Sequence, residues 1–330
     1  AFSVGTDAYG NVVTAAPTSG ATVTVDNTAP TVSAVTEVVT PSNDSTPNYV
    51  FTTNEAGTIT TNISEGFSTN ASAATGNNTV TFNTLGEGTY ASKTVTVTDA
   101  AGNTSSLTLT TFVIDTTAPT VTSFTMSDTA LKSGDTSTVT LVFSEAVLGF
   151  ANNDVTVVNG TLATMTSSDN ITWTGTYTPT ADVEDATNVL TLATSYTDTA
   201  GNAGPSATTA NFTIDTKAPT VSSFTMSDTA LKSGDTSTVT VVFSESVAGF
   251  ANNDVTVVNG ALASMTSSDN ITWTGTYTPT ADVEDATNVL TLGTAWTDTA
   301  GNAYGGSSTA TVNFTIDTTS PTVSSFTMSD

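Results

Sequence analysis

Threonine and valine alternate with apolar residues along most of the chain. Thr138-Val-Thr-Leu-Val-Phe143 opens on this alternation, and Ile171-Thr-Trp-Thr-Gly-Thr-Tyr177 carries it throughout. A period of two built from β-branched residues marks a strand with one face buried. No stretch shows the three-to-four spacing of a helix. Between residues 115 and 214 the pattern predicts about seven strands, near 120–127, 137–144, 154–159, 161–167, 170–178, 188–197 and 208–214. The expected inward positions are Phe124, Val139, Leu141, Phe143, Val155, Val157, Leu162, Trp173, Tyr177, Leu190, Leu192, Phe212 and Ile214. Residues 215–316 repeat the segment nearly word for word, with Trp273 in the register of Trp173.

Two short phrases punctuate this pattern. One reads Asp26-Asn-Thr-Ala-Pro30, Asp115-Thr-Thr-Ala-Pro119, Asp215-Thr-Lys-Ala-Pro219 and Asp317-Thr-Thr-Ser-Pro321. The other is an acid followed by a Gly-Asn turn, at Asp7-Ala-Tyr-Gly-Asn11, Asp99-Ala-Ala-Gly-Asn103, Asp198-Thr-Ala-Gly-Asn202 and Asp298-Thr-Ala-Gly-Asn302. A period of roughly a hundred residues means an array of similar domains. The expected fold is all-β, a linear array of Ig-like antiparallel β-sandwiches of about seven strands each. The expected boundaries are the closing strands of an upstream domain over 1–25, then domains over 26–114, 115–214 and 215–316, and the first strand of a further domain over 317–330. The 26–114 domain is worded differently, with strands through Tyr49-Val-Phe51, Thr79-Val-Thr-Phe82 and Lys93-Thr-Val-Thr-Val97. Its Leu85-Gly-Glu-Gly-Thr-Tyr90 has the form of a corner whose Tyr hydroxyl bonds back to the backbone.

Charge narrows the function. The 330 residues carry 30 acids against four Lys and Arg, a formal net charge of −26, with no His and no Cys. Such a surface repels nucleic acid and anionic lipid. It suits a protein that holds cations or must stay soluble. Disulfides and thiolate metal sites are absent, and no run is apolar enough to span a bilayer. Catalysis finds little support, since the usual triads need His or Cys. No catalytic residue and no organic cofactor are expected.

Phe143-Ser-Glu-Ala-Val147 with Gly149-Phe150, Asn153-Asp-Val-Thr156, Tyr177-Thr-Pro-Thr180 and Asp198-Thr-Ala-Gly-Asn202 together resemble the bacterial Ig-like repeats of giant secreted adhesins. The resemblance covers 115–316 closely and 1–114 more loosely. It implies a cell-surface or biofilm protein in which a long extracellular stalk of repeats, often calcium-rigidified, carries an adhesive tip. Neighbouring repeats of the same chain would then be the main partners.

Strand counting locates the chemistry. Strands of alternating direction return the loops after the second, fourth and sixth strands to the pole where the domain begins. That logic converges Asp115, Glu145 and Asp198, and likewise Asp215, Glu245 and Asp298, and Asp26, Glu55 and Asp99. Asp154, Asp254, Asn202, Asn302 and Asp317 are secondary candidates near the same poles. Three carboxylates at one pole repel unless something neutralises them. An all-oxygen set fits Ca²⁺, whereas Mg²⁺ wants a stricter octahedron and Zn²⁺ would recruit the absent His or Cys. The plain alternative is that these acids are solvated turn residues. At the opposite pole, Asp182-Val-Glu-Asp185 and Asp282-Val-Glu-Asp285 read as acidic loops, solvated or donating to the next junction.

The expected role is a structural extender stiffened by Ca²⁺ at its domain junctions. Two other classes fit the same sequence. A subunit of a self-assembling filament or surface layer would pair with copies of itself through strand edges. A carbohydrate-binding array would expose an aromatic platform, for which Tyr196, Trp296 and Tyr304 are the candidates.

Overall fold

The computed structural model describes Tyr9, residues 25–69 and residues 71–329. The strands read over 1–25 therefore lie outside the described residues, apart from those two positions. Compactness divides the chain into two units. One runs to Thr117 and includes Thr199–Asn202; the other comprises Ala118–Asp198 and everything from Ala203 onward.

In the second unit the alternation is expressed directly. Ser237–Phe243 buries Ser237, Val239, Val241 and Phe243 and turns Thr238, Thr240 and Val242 outward. It sits between Val221–Met226 and Thr272–Pro279, with Gly260–Leu262 on the far edge, all antiparallel. The facing layer is assembled from shorter pieces. Phe314–Asp317 lies between Ala230–Lys232 and Glu284–Asn288, Thr291–Leu292 between Val255–Thr256 and Thr309–Ala310, and Val247–Ala248 pairs Thr297–Asp298. Residues 115–214 repeat this arrangement strand for strand. Between the layers lie two separate apolar clusters, one around Leu141, Tyr177 and Phe212, the other around Val241, Tyr277 and Phe314. The expected all-β sandwich is the observed one.

Three details depart from the pattern. Ala130–Lys132 is an additional strand, and it runs parallel to Phe212–Asp215. After a turn in which the Ala130 amide donates to Asp128 Oδ1, the chain crosses from one layer to the other. The expected strand over 188–197 is broken into Glu184–Asn188, Thr191–Leu192 and Thr197–Asp198. Asn188 is the cause: its buried amide donates to the Asp185 and Phe212 carbonyls and interrupts the ladder with a bulge. Finally, Glu184 and Asp185 are not loop residues. Asp182 takes a left-handed turn (φ 58°), and the chain then enters a strand in which Glu184 sits opposite Asp215. Glu184 is exposed on that edge, and Asp185 is satisfied by the Asn159 side-chain amide and the Thr187 backbone amide, which donate to its carboxylate.

The first unit holds a third cluster, built around Tyr49, Phe51, Phe82 and Phe112. One sheet is Val32–Thr36, Asn48–Thr53 and Gly76–Thr81, a second is Ser72–Ala73, Gly57–Thr61, Thr94–Thr98 and Thr104–Thr108, and Gly88–Tyr90 pairs with Phe112–Ile114. The Tyr90 hydroxyl donates to the Gly86 carbonyl at 3.0 Å, the corner its sequence predicts. At the other end of the chain, residues 318–329 form no strand, and Phe326 and Met328 are exposed. Thr318 is tied to Val283, its amide donating to the Val283 carbonyl and its Oγ1 accepting from the Val283 amide.

Candidate metal centre

Three elements bring Asp215, Glu245 and Asp298 together. Asp215 ends the strand Phe212–Asp215. Glu245 stands in the turn after Ser237–Phe243, and Asp298 ends the short strand Thr297–Asp298. Val247 is the register partner of Asp298, which fixes the turn beside that strand. Ser244 ties in the linker: its Oγ accepts from the Thr220 amide at 2.8 Å while its own amide donates to the Thr220 carbonyl at 2.9 Å. As a result, one carboxylate oxygen from each acid lies within 4.8 Å of the others.

Asn302 clasps this arrangement from behind. Its Nδ2 donates to the Asp215 carbonyl at 2.8 Å and to Asp298 Oδ2 at 2.7 Å. Its Oδ1 accepts from the Ser133 amide at 2.7 Å, a residue of the preceding sandwich in the same unit. The amides of Gly301 and Asn302 donate to Asp298 Oδ1, a turn that Gly301 makes with φ 98°. Asn302 therefore spends its amide on protein partners and acts as a clasp. Asn202 repeats the contact by donating to the Asp115 carbonyl at 2.9 Å.

Electrostatics mark the same place. Burial pushes the Asp215 carboxyl above its ordinary range, and the charges of Asp298 and Glu184 push it further. Burial also raises Glu245, with Asp215, Asp298 and Glu184 adding to the effect. Glu245 Oε1 is buried and has no hydrogen-bond partner. A buried carboxylate oxygen without a donor is costly unless a cation faces it.

The first unit holds a second copy. Asp26, Glu55 and Asp99 each offer an oxygen within 4.8 Å of the others, and Glu55 Oε1 is again buried and unpartnered. Asn103 supplies the clasp, donating to Asp99 Oδ2 at 2.8 Å and to the Asp26 carbonyl at 3.1 Å. That amide contact, aided by the Asn103 and Ala101 backbone amides, holds the Asp99 carboxyl below its usual range. Asn103 is absent from the candidates named by sequence, although its Gly-Asn turn is the same phrase that contains Asn202 and Asn302. Of the third predicted trio, Asp115 belongs to the first unit, and Glu145 and Asp198 to the second. Asp198 is buried on its strand opposite Val147.

The secondary acids have local tasks. Asp154 Oδ2 accepts from the Ala151 amide and its Oδ1 from the Ser195 hydroxyl, while Asp254 Oδ2 accepts from the Ala251 amide. Both brace the single 3₁₀ turns Asn152–Asp154 and Asn252–Asp254. Asp317 accepts from the Thr319 amide. None of the three joins either trio. The aromatic platform is corrected. Tyr196 is 0% and Trp296 1% exposed, packed on Phe143 and Phe243, and the half-buried Tyr304 stacks on Trp296 at 4.5 Å. Tyr196 and Trp296 belong to the core, and Tyr304 has one face against Trp296.

Both trios offer only oxygen donors, each with an orphaned buried carboxylate oxygen. That is the chemistry of a hard cation of irregular coordination, and Ca²⁺ fits it best.

Comparison with known proteins adds the family context. A family model described as a bacterial Ig-like domain matches residues 115–214 and 215–316. No curated protein matches the chain. Among solved structures, the chain is similar to a mutated three-Ig fragment of titin, at 8% identity and a TM-score of 0.48, over 89% of this chain and 100% of that one. An I-band fragment of titin gives 9% and 0.46 over the same shares. Invasin, a bacterial integrin-binding protein, gives 18% and 0.28 over 80% of this chain and 56% of its own.

Proposed function

The chain belongs to the bacterial Ig-like domain family, and from that premise we propose that it is an extender segment of a bacterial surface adhesin, stiffened by Ca²⁺ where one repeat meets the next. The observation that carries the reading is the position of Asp215. It ends a strand of one sandwich, yet its carboxylate lies with Glu245 and Asp298 of the following sandwich. An ion held there binds the linker to the domain it enters. Pro219 restricts its own φ and the conformation of Ala218, which shortens the free part of the linker.

Asp215, Glu245 and Asp298 would hold the ion in the second unit, and Asp26, Glu55 and Asp99 in the first. The ion supplies the positive charge that lets three neighbouring carboxylates stay ionised. The surroundings do the rest: Asn302 and Asn103 fix the orientation of the acids, and Ser244 fixes the linker. The role is mechanical rather than catalytic, in keeping with a chain that has neither His nor Cys. A location outside the cell agrees with the family and with the acidic surface. Among the described residues no helix is long and apolar enough to cross a membrane.

A ligand that binds only the folded state adds RT ln(1 + [L]/Kd), about 2.7 kcal/mol at a hundredfold excess over Kd. Scanning calorimetry of the chain in excess calcium should therefore show higher melting than in chelator. Cleavage of linker 216–220 by a nonspecific protease should slow in parallel. Identical melting and cleavage in the two conditions would overturn the proposal.

A further inference from the structure

The residue two places after each linker acid is Thr28, Thr117, Lys217 or Thr319. The backbone does not distinguish them. In all four the amide donates to Oδ1 of the acid, at 2.9, 3.1, 3.3 and 3.2 Å respectively. Only the side chain differs, and at 217 it is one of just four cations in a chain with 30 acids.

The Lys217 ammonium has an exposed carboxylate as its neighbour. Its Nζ lies 3.5 Å from Glu184 Oε2, and Glu184 is the register partner of Asp215 across the strand pair. Glu184 in turn lies close enough for its charge to act on both Asp215 and Glu245, as does the Lys217 ammonium with the opposite sign. The corresponding acid in the first unit, Glu87, is satisfied differently. The hydroxyls of Thr116 and Thr117 donate to its Oε1, with no cation involved. The acid beside the linker thus meets threonine hydroxyls at Glu87 and an ammonium at Glu184, while the third copy, Glu284 opposite Asp317, again has a threonine, Thr319, two places after its linker acid.

We infer that Lys217 is a built-in competitor for the cation at the Asp215, Glu245 and Asp298 centre, lowering its calcium affinity below that of the same centre with threonine at position 217. The inference rests on the calcium reading above and specifies how that centre is tuned. An ammonium held at Glu184, opposite Asp215, partly neutralises the acids when no ion is bound and repels a divalent ion when one enters. It leaves this junction less dependent on calcium than it would be with threonine. A single charge several ångströms from a divalent ion in high dielectric changes Kd by roughly threefold to tenfold.

The structure supplies a site-specific readout. The Gly301 and Asn302 amides donate to Asp298 Oδ1, and the Ala101 and Asn103 amides to Asp99 Oδ1. Calcium titration of the isotopically labelled full chain, followed by NMR at these amides, reads both centres in one sample. The Asn302 amide should report a Kd roughly threefold to tenfold tighter in Lys217→Thr. Lys217→Arg should leave it unchanged, and Asn103 should report the same Kd in all three proteins, which also verifies folding. If Asn302 titrates with one Kd in wild type and Lys217→Thr, Lys217 does not compete, although the calcium reading stands. If neither Asn302 nor Asn103 responds to calcium, both ideas fail.

Discussion

Replacing Glu245 by Gln keeps the shape of the side chain and removes one charge from the trio. With ligand oxygens within 4.8 Å, Coulomb repulsion is about 3.5 kcal/mol per pair at an effective dielectric of about 20 and about 0.9 kcal/mol in bulk water. Asp215 and Glu245 are only half-buried, so the lower figure is the better guide. Two pairs are relieved, and the metal-free protein should gain about 1–2 kcal/mol. With calcium present the same substitution removes an anionic ligand. It then costs up to the about 2.7 kcal/mol that a hundredfold excess of ligand contributes. The sign of the effect should therefore reverse between the two conditions. For a sandwich of this size, 1 kcal/mol moves Tm by about 4–8 °C. Calorimetry of wild type and Glu245→Gln, each in chelator and in calcium, should show the variant melting higher in chelator and lower in calcium. A variant less stable by the same amount in both conditions would refute the reasoning, because Glu245 would then act through packing alone. A variant more stable in both would leave bare repulsion with no ion.

Two further outcomes follow from the surrounding structure. Burial pushes the Tyr49, Tyr177, Tyr196 and Tyr277 phenols up to about 12. A folded-state pKa above the unfolded value contributes stability that is complete below about pH 10 and lost as pH rises toward 12. Denaturation followed by circular dichroism should show that loss, and Tyr177→Phe should reduce it while forfeiting the 2.7 Å bond to the Val158 carbonyl; an unchanged alkaline profile would contradict the assignment. Asn302→Ala removes the clasp on Asp215, Asp298 and Ser133 and should cost about 1–3 kcal/mol in urea denaturation, whereas a loss below about 0.5 kcal/mol would mean that water replaces the amide.

The long strands were legible because a β-branched, largely alternating run such as Ser237–Phe243 points every second residue inward, a pattern its burial follows without a break. Each acidic trio within a unit was legible because counting strand reversals places loops at poles without any knowledge of side chains. Three residues such as Ala130–Lys132 carry too little pattern to announce a strand, and nothing local dictates a parallel partner. Glu184 and Asp185 look like loop residues because a sequence reveals charge and not which edge faces water. Tyr196 and Trp296 were misread for the converse reason. They stand in short irregular stretches before Thr197–Asp198 and Thr297–Asp298, and their burial comes from Phe143 and Phe243 in the facing layer. At this position the two copies pack differently: Gly204 leaves room against the Tyr196 ring, whereas in the other copy Tyr304 stacks on Trp296. Asn302 was noticed as a turn residue, but its second role depends on Ser133, 169 positions away in sequence.

The most direct test of the calcium centre is a crystal structure of the chain grown in calcium, with anomalous scattering data to identify the ion. The account predicts anomalous density between Asp215, Glu245 and Asp298, with an oxygen of each at about 2.3–2.6 Å and Glu245 Oε1 among the ligands. Well-ordered carboxylates with only water or the Lys217 ammonium between them, at millimolar calcium, would contradict it.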